Sequence, residues 1–267
     1  PIYARLVAQW QSVGFCHGVL NSDNISVLGL TIDYGPFGFL DHFQIDHICN
    51  HSDHAGRYAY HRQPQIMHWN MACLAGAMLP LLEGQVGEGK AQEQLRVALE
   101  EFPVIYAQTW QSLFRKKLGF TTSQNGDIDL IERLLQAMHD SNVDFTNFFR
   151  SLGELKIETN INQIPLRNLF IDPGLIDCWF SDYFSRLRSE SSNDELRQKA
   201  MNQVNPKFIL RNHLAQIAIE RAQEKDFSEV TKLLNILSKP FDTQPEFDSY
   251  AKSPPPNQQS IEVSCSS

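Results

Sequence analysis

Asp23, Asn24 and Asp33 are the residues of this chain whose types and spacing suit chemistry on a phosphate. An Asn carbonyl and an Asp carboxylate are hard oxygen donors. Mg²⁺ takes one or two such protein ligands and leaves its other positions to water and phosphate. Between Asn24 and Asp33 lies Ile25-Ser26-Val27-Leu28-Gly29-Leu30-Thr31-Ile32, rich in β-branched residues and interrupted by one central Gly. That composition predicts a short hairpin. Two strands of about four residues, rising ~3.3 Å per residue out and back, would bring Asn24 and Asp33 within reach of one ion.

The run His17-Gly18-Val19-Leu20-Asn21-Ser22-Asp23-Asn24 follows the frame of a protein kinase catalytic loop, H-R-D-L-x-x-x-N. It keeps the His, the Leu and the closing Asn, has Gly18 for the Arg and Val19 for the aspartate base, and carries Asp23 beside the Asn. Asp33-Tyr34-Gly35 stands where a kinase has D-F-G. The longer blocks from Trp10 to Asn24 and from Leu28 to Asp41 closely resemble the selenoprotein O family, also called the YdiU family. Shorter matches are Ile48-Cys49-Asn50-His51-Ser52-Asp53, Gly56-Arg57-Tyr58-Ala59-Tyr60, Gln63-Pro64 and Trp69-Asn70. Val204-Asn205-Pro206-Lys207, Leu210-Arg211-Asn212 and the ending Glu262-Val263-Ser264-Cys265-Ser266-Ser267 extend the likeness over nearly the whole chain.

The resemblance implies a pseudokinase that transfers AMP from ATP to Ser, Thr or Tyr hydroxyls of proteins, with ATP flipped relative to kinases. It makes Asp23 the base and gives Asn24 and Asp33 to Mg²⁺ or Mn²⁺, with Asp33 reaching ATP through the metal. Transfer of this kind rests mostly on positioning and electrostatics, so a missing kinase base is tolerable where another carboxylate can orient the hydroxyl. A complete member carries an N-terminal lobe with a nucleotide-covering loop and a phosphate-binding Lys and Glu pair. Here Pro1 stands twenty-two residues before Asp23. The chain therefore reads as a C-terminal portion, N-lobe missing, inactive alone.

The expected fold is mainly α (α+β): a kinase-like C-lobe with a hairpin at the metal site and a helical extension. Residues 1–62 form the catalytic segment, 63–250 the helical part, and 251–267 a polar, proline-rich tail that cannot order itself. Helical stripes recur at Met67, Met71, Leu74 and Met78; at Ile131, Leu134, Leu135 and Met138; and at Phe145, Phe148, Phe149 and Leu152. Leu210, Leu214 and Ile217 mark another, and Val230, Leu233, Leu234 and Leu237 a last one, with Asp226 and Glu229 placed as a capping-box variant.

Net charge is −8 and no block of Lys or Arg appears, which argues against nucleic-acid binding. No apolar run is long enough to span a membrane and no signal peptide is seen. The expected compartment is cytoplasmic, or mitochondrial for a eukaryotic parent with a targeting segment upstream. Five cysteines, odd in number and scattered, suit a reducing environment. Cys16, Cys73 and Cys178, among apolar neighbours, read as small buried hydrophobes. The resemblance places Cys265 at or beside the family's redox-active position. A tail of about seventeen residues explores on the order of 20 Å, so a Cys49–Cys265 disulfide is an expected redox gate.

Two further patterns invite other functions. Gly84-Gln85-Val86-Gly87-Glu88-Gly89-Lys90 has P-loop spacing, but Ala91 replaces the metal-binding Ser or Thr and no strand precedes it. An inter-helix loop is the expectation. Asp41, His42, Asp46, His47, Cys49, His51, Asp53 and His54 are dense enough for a metal-dependent phosphohydrolase. In kinase topology the same cluster falls in the activation segment, where histidines hydrogen-bond or touch substrate. Arg57 there is free to pair with Asp53 or with substrate. A non-catalytic helical remnant is the third reading.

Overall fold

Ala4, Val7, Ala8 and Gln11 recur at helical spacing, and they are buried in α1 (Ile2–Val13). Gly14, at φ 70°, ends that helix in the left-handed conformation glycine adopts without strain. In this computed structural model residues 1–255 are described, and Cys265 lies outside them. They divide into two compact units, one of residues 1–37 and 46–113, the other of residues 38–45 and 114–255. Division by compactness differs in kind from division by motif. The first unit holds residues 1–37 and 46–62 together with the first long helices.

In the first unit α1 leads into β1 (Phe15–Cys16) and then into irregular chain through Phe37. α2 (Gln63–Val86) carries Pro64 in its first turn, where the missing N–H costs nothing. The stripe there is only partly a core face. Met67 is buried, Met71 and Leu74 are half-buried and Met78 is exposed. Only Gly87 separates α2 from α3 (Glu88–Lys117), so the P-loop-like run is helical on both sides of one residue instead of forming a loop.

The expected hairpin between Asn24 and Asp33 is absent; residues 25–32 contain no strand. Ser26 instead closes a tight turn, accepting Gly29 N–H at its carbonyl (3.0 Å) and Leu28 N–H at its hydroxyl (3.2 Å). Val27 and Leu28 are each 72% exposed, so no apolar face is buried to hold two strands together. A two-stranded ribbon without such a face is marginal in water.

The second unit contains β2 (Gly38–Phe39), the last turn of α3, and six further helices among the described residues: α4 (Asp127–Asp140), α5 (Phe145–Leu152), α6 (Pro173–Ser189), α7 (Asp194–Asn202), α8 (Asn212–Gln223) and α9 (Ser228–Leu237). Ile131, Leu134 and Met138 of α4 and all four stripe residues of α5 are buried as expected. Asp144 caps α5 by accepting Asn147 N–H at 2.9 Å, and Asp172 caps α6 through Gly174 and Leu175 N–H. α9 turns a different face inward. Leu233 and Ile236 are buried while Leu234 is 68% exposed, because Glu229 is drawn in by the Tyr250 hydroxyl and Lys232 instead of closing a capping box. Cys73 and Cys178 are exposed, contrary to expectation. Cys178 lies off the buried row Ile176, Trp179, Phe180, Tyr183 of α6.

Candidate active site

The loop from His17 to Asn24 has almost no secondary structure of its own, so its backbone groups need other partners. They find them in amide side chains. Gln63, fully buried, accepts His17 N–H (3.0 Å) and donates to Phe15 O (2.9 Å). Asn50 donates to Gly18 O (3.2 Å) and Asn70 to Leu20 O (2.9 Å). Asn24 itself donates to Val19 O (3.3 Å), and the Tyr58 hydroxyl donates to Asn21 Oδ1. Each of these contacts fixes a loop position whose side chain could act on a substrate. Gln63→Leu would strand the buried His17 N–H, and urea unfolding of that variant is expected to show a loss of about 1–3 kcal/mol.

His17 ties the two halves of the site. Its Nε2 lies 2.8 Å from Ile32 O, so that nitrogen carries the proton, while Val19 N–H approaches Nδ1 at 3.4 Å. Burial holds the imidazole below its ordinary pKa, against the upward pull of the Ile32 carbonyl and of Asp33. The ring is a neutral strut between the loop and the residue before Asp33. Gly18 replaces the kinase Arg for a steric reason. Its φ is +84°, and a Cβ there would stand 2.7 Å from Pro36 O and 2.9 Å from Cys49 Sγ.

Asp23 and Asn24 sit on a single 3-10 turn, Ser22–Asn24, with Asp23 exposed and Asn24 half-buried. With Nδ2 bonded to Val19 O, Asn24 keeps Oδ1 for another partner. Asp33 is exposed and held at φ +57°, a left-handed backbone uncommon outside glycine. Neither Asp23 nor Asp33 is engaged in an ion pair among the described residues, where Asp127, Glu190 and Asp41 all are. One amide oxygen and two carboxylates are donor types that suit a hard divalent cation, although the hairpin expected to bring Asp33 back to Asn24 is not formed.

Members of the His/Asp cluster have separate partners. Asp41 pairs with Arg211 at 2.5 Å, and Asp53 accepts the backbone N–H of Arg57 (2.9 Å) and Tyr58 (2.7 Å). Among the described residues no three His, Cys, Asp or Glu side chains are arranged to hold a metal. This removes the geometric basis for a phosphohydrolase centre at residues 41–54. Cys49 lies against Cys16, donating from Sγ to Cys16 O at 3.4 Å. The two thiols are linked: the Cys49 thiol's hydrogen bond draws the Cys16 pKa down, and the same bond with burial pushes Cys49 up.

Sequence reasoning assigned no role to Gln63, Asn50 or Asn70. Their only sequence signal is being amide residues in short family-like blocks, and their partners are backbone groups 32 to 50 residues away. No helix among the described residues is long and apolar enough to cross a membrane.

Residues 2–238 match the family model described as Protein adenylyltransferase SelO. The chain is 51% identical to the protein nucleotidyltransferase YdiU of Burkholderia ambifaria (strain MC40-6), an alignment covering 99% of this chain and 52% of that protein. The same-named protein of Burkholderia multivorans matches with the same identity and coverage. The chain spans about half the length of the curated relatives it matches.

Proposed function

The chain belongs to the SelO family of protein adenylyltransferases, and from that premise we propose that its first unit carries a site moving AMP from ATP to protein Ser, Thr or Tyr hydroxyls. The observation that carries this reading is the pinned Asn24, whose Oδ1 is left free beside the uncommitted Asp23. In the reaction the substrate hydroxyl oxygen bonds to the α-phosphorus of ATP, and the bond from that phosphorus to the departing pyrophosphate breaks. Asp23 takes the hydroxyl proton and orients its oxygen. Mg²⁺ or Mn²⁺, held by Asn24 and Asp33, would supply positive charge against the phosphates. His17 and the amide clamps keep these oxygens fixed, so little reorganisation accompanies the reaction. A kinase-like C-lobe is the architecture this loop and Asp33-Tyr34-Gly35 fit best.

Labelling of protein by α-labelled ATP tests the reading, with γ-labelled ATP as the control. Label from the α position alone supports AMP transfer. Label from the γ position would make the site a phosphotransferase.

A redox gate between Cys49 and Cys265 belongs to the same proposal, and Cys16 is its competitor. After oxidation by a low-molecular-weight disulfide, peptide mapping under non-reducing conditions is expected to find Cys49 joined to Cys16 first. Cys49 is the more exposed of the two and meets the added disulfide first, and Cys16, in contact with it, then resolves the mixed disulfide. Cys16→Ala should then leave Cys49 available for Cys265. If Cys49 stays free in both proteins, neither bond operates.

A further inference from the structure

Arg57 and Arg62 are two cations of the first unit that line the same cavity, in a chain whose net charge is −8. Arg57 and Arg62 make no ion pair among the described residues, yet both are exposed and line one open cavity of about 580 Å³ with Gln65 and Trp69. Asp53 is the acid that could have neutralised Arg57, but its carboxylate is engaged by backbone N–H groups. The Arg57 guanidinium instead lies 5.0 Å from the Trp69 ring centre and 5.7 Å from that of Tyr58. These ring contacts hold the guanidinium without using its N–H donors, which can grip a carboxylate with two parallel bonds. Arg62 is steadied through one nitrogen only, Nη1, which reaches Ala55 O (3.4 Å) and Gly56 O (3.3 Å). Trp69 remains 48% exposed, an aromatic surface of the kind that anchors binding partners.

A hydrogen bond ties the stretch that carries Arg57 to the loop described above. Tyr58, which flanks Arg57, donates its hydroxyl to Asn21, two residues before Asp23. We propose that this cavity is a subsite for an acidic side chain of the polypeptide substrate, flanking the hydroxyl that Asp23 receives. The inference rests on the proposed transfer to protein hydroxyls and adds a preference: target hydroxyls with Glu or Asp nearby. Two guanidinium groups give the carboxylate its charge partner, and Trp69 gives the neighbouring residue an apolar seat. A protein of net negative charge would otherwise repel acidic segments, so attraction confined to this cavity also directs where the substrate lands.

The test is binding, measured without catalysis. A fluorescein-labelled Ser peptide with flanking Glu residues is titrated with the chain and followed by anisotropy, beside the same peptide with Gln for Glu. The Glu peptide is expected to bind at least tenfold more tightly, with the difference shrinking as salt rises. Arg57→Ala and Arg62→Ala should each remove most of it, and Arg57→Lys should not restore it because the stacked plane is gone. Both arginines are exposed, so these variants should fold, as a thermal melt will confirm. Equal binding of the two peptides, or a preference surviving Arg57→Ala with Arg62→Ala, overturns the proposal. So does binding of tripolyphosphate at these arginines with no peptide preference, which would make the cavity a phosphate site. Failure of AMP transfer with the Glu preference intact would count against the reaction and leave the subsite standing. Transfer indifferent to flanking Glu and to both arginines would do the reverse.

Discussion

In a protein that carries this chain together with the rest of its relatives' length, replacing Asp33 by alanine is expected to lower AMP transfer by on the order of a hundred- to a thousandfold, the loss typical of removing one fixed electrostatic partner of the reacting phosphate. Asp33 is the charged member of the proposed metal pair, and Asn24 the neutral one, so Asn24→Ala should cost less. The backbone complicates a simple reading of alanine. Asp33 sits at φ +57°, where Asp and Asn are tolerated better than Ala. Asp33→Asn keeps that conformation and the shape of the side chain while removing the charge. It should therefore fold like the parent and still lose transfer, with Mn²⁺ affinity falling in parallel when read by electron paramagnetic resonance. Near-normal transfer in Asp33→Asn would put the metal elsewhere. Loss of transfer with unchanged Mn²⁺ binding would mean that Asp33 acts by holding His17 and the loop.

What the sequence makes legible is chemistry that is local. Asp23, Asn24 and Asp33 can be picked out because their donor types and spacing lie within one short stretch, and the apolar stripes of α4 and α5 because a helix buries residues at its own period. The failures share a cause in distant partners. Residues 25–32 have strand-like composition but expose Val27, Leu28 and Leu30, and propensity yields when no face is covered. Glu229 goes to Tyr250, twenty-one residues on, and rotates the buried face of α9. Gln63 and Asn70 support the loop of residues 17–24 through backbone atoms, which leave no side-chain pattern to find. The helix α1 had the pattern, Ala4, Val7, Ala8 and Gln11 with Gly14 behind, and was readable in principle.

Lys117 shows how a single buried residue couples the second unit to pH. It is 2% exposed at the end of α3, its ammonium 2.8 Å from Asn205 Oδ1 and over the rings of Phe149 (4.2 Å) and Phe145 (5.1 Å). Burial lowers its pKa to about 7 from an ordinary 10.5. The unfolded chain keeps this proton up to the ordinary value, whereas the folded chain releases it near 7. Between those limits the unfolded state binds more protons, so stability rises with pH, by about 1.4 kcal/mol per unit at most. Below the folded value both states are charged and the cost of burying the ammonium is fully present. Urea unfolding at pH 7.5, 8.5 and 9.5 should show this slope in the parent relative to Lys117→Met. Methionine leaves Asn205 Oδ1 without its donor, at about 1–3 kcal/mol, but that offset does not vary with pH. Parallel stability curves for the two proteins would mean the lysine titrates alike in both states. Lys117→Arg sharpens the argument. A guanidinium cannot shed its proton, so it should lower stability at every pH tested and fail to recover on the alkaline side, where the parent gains.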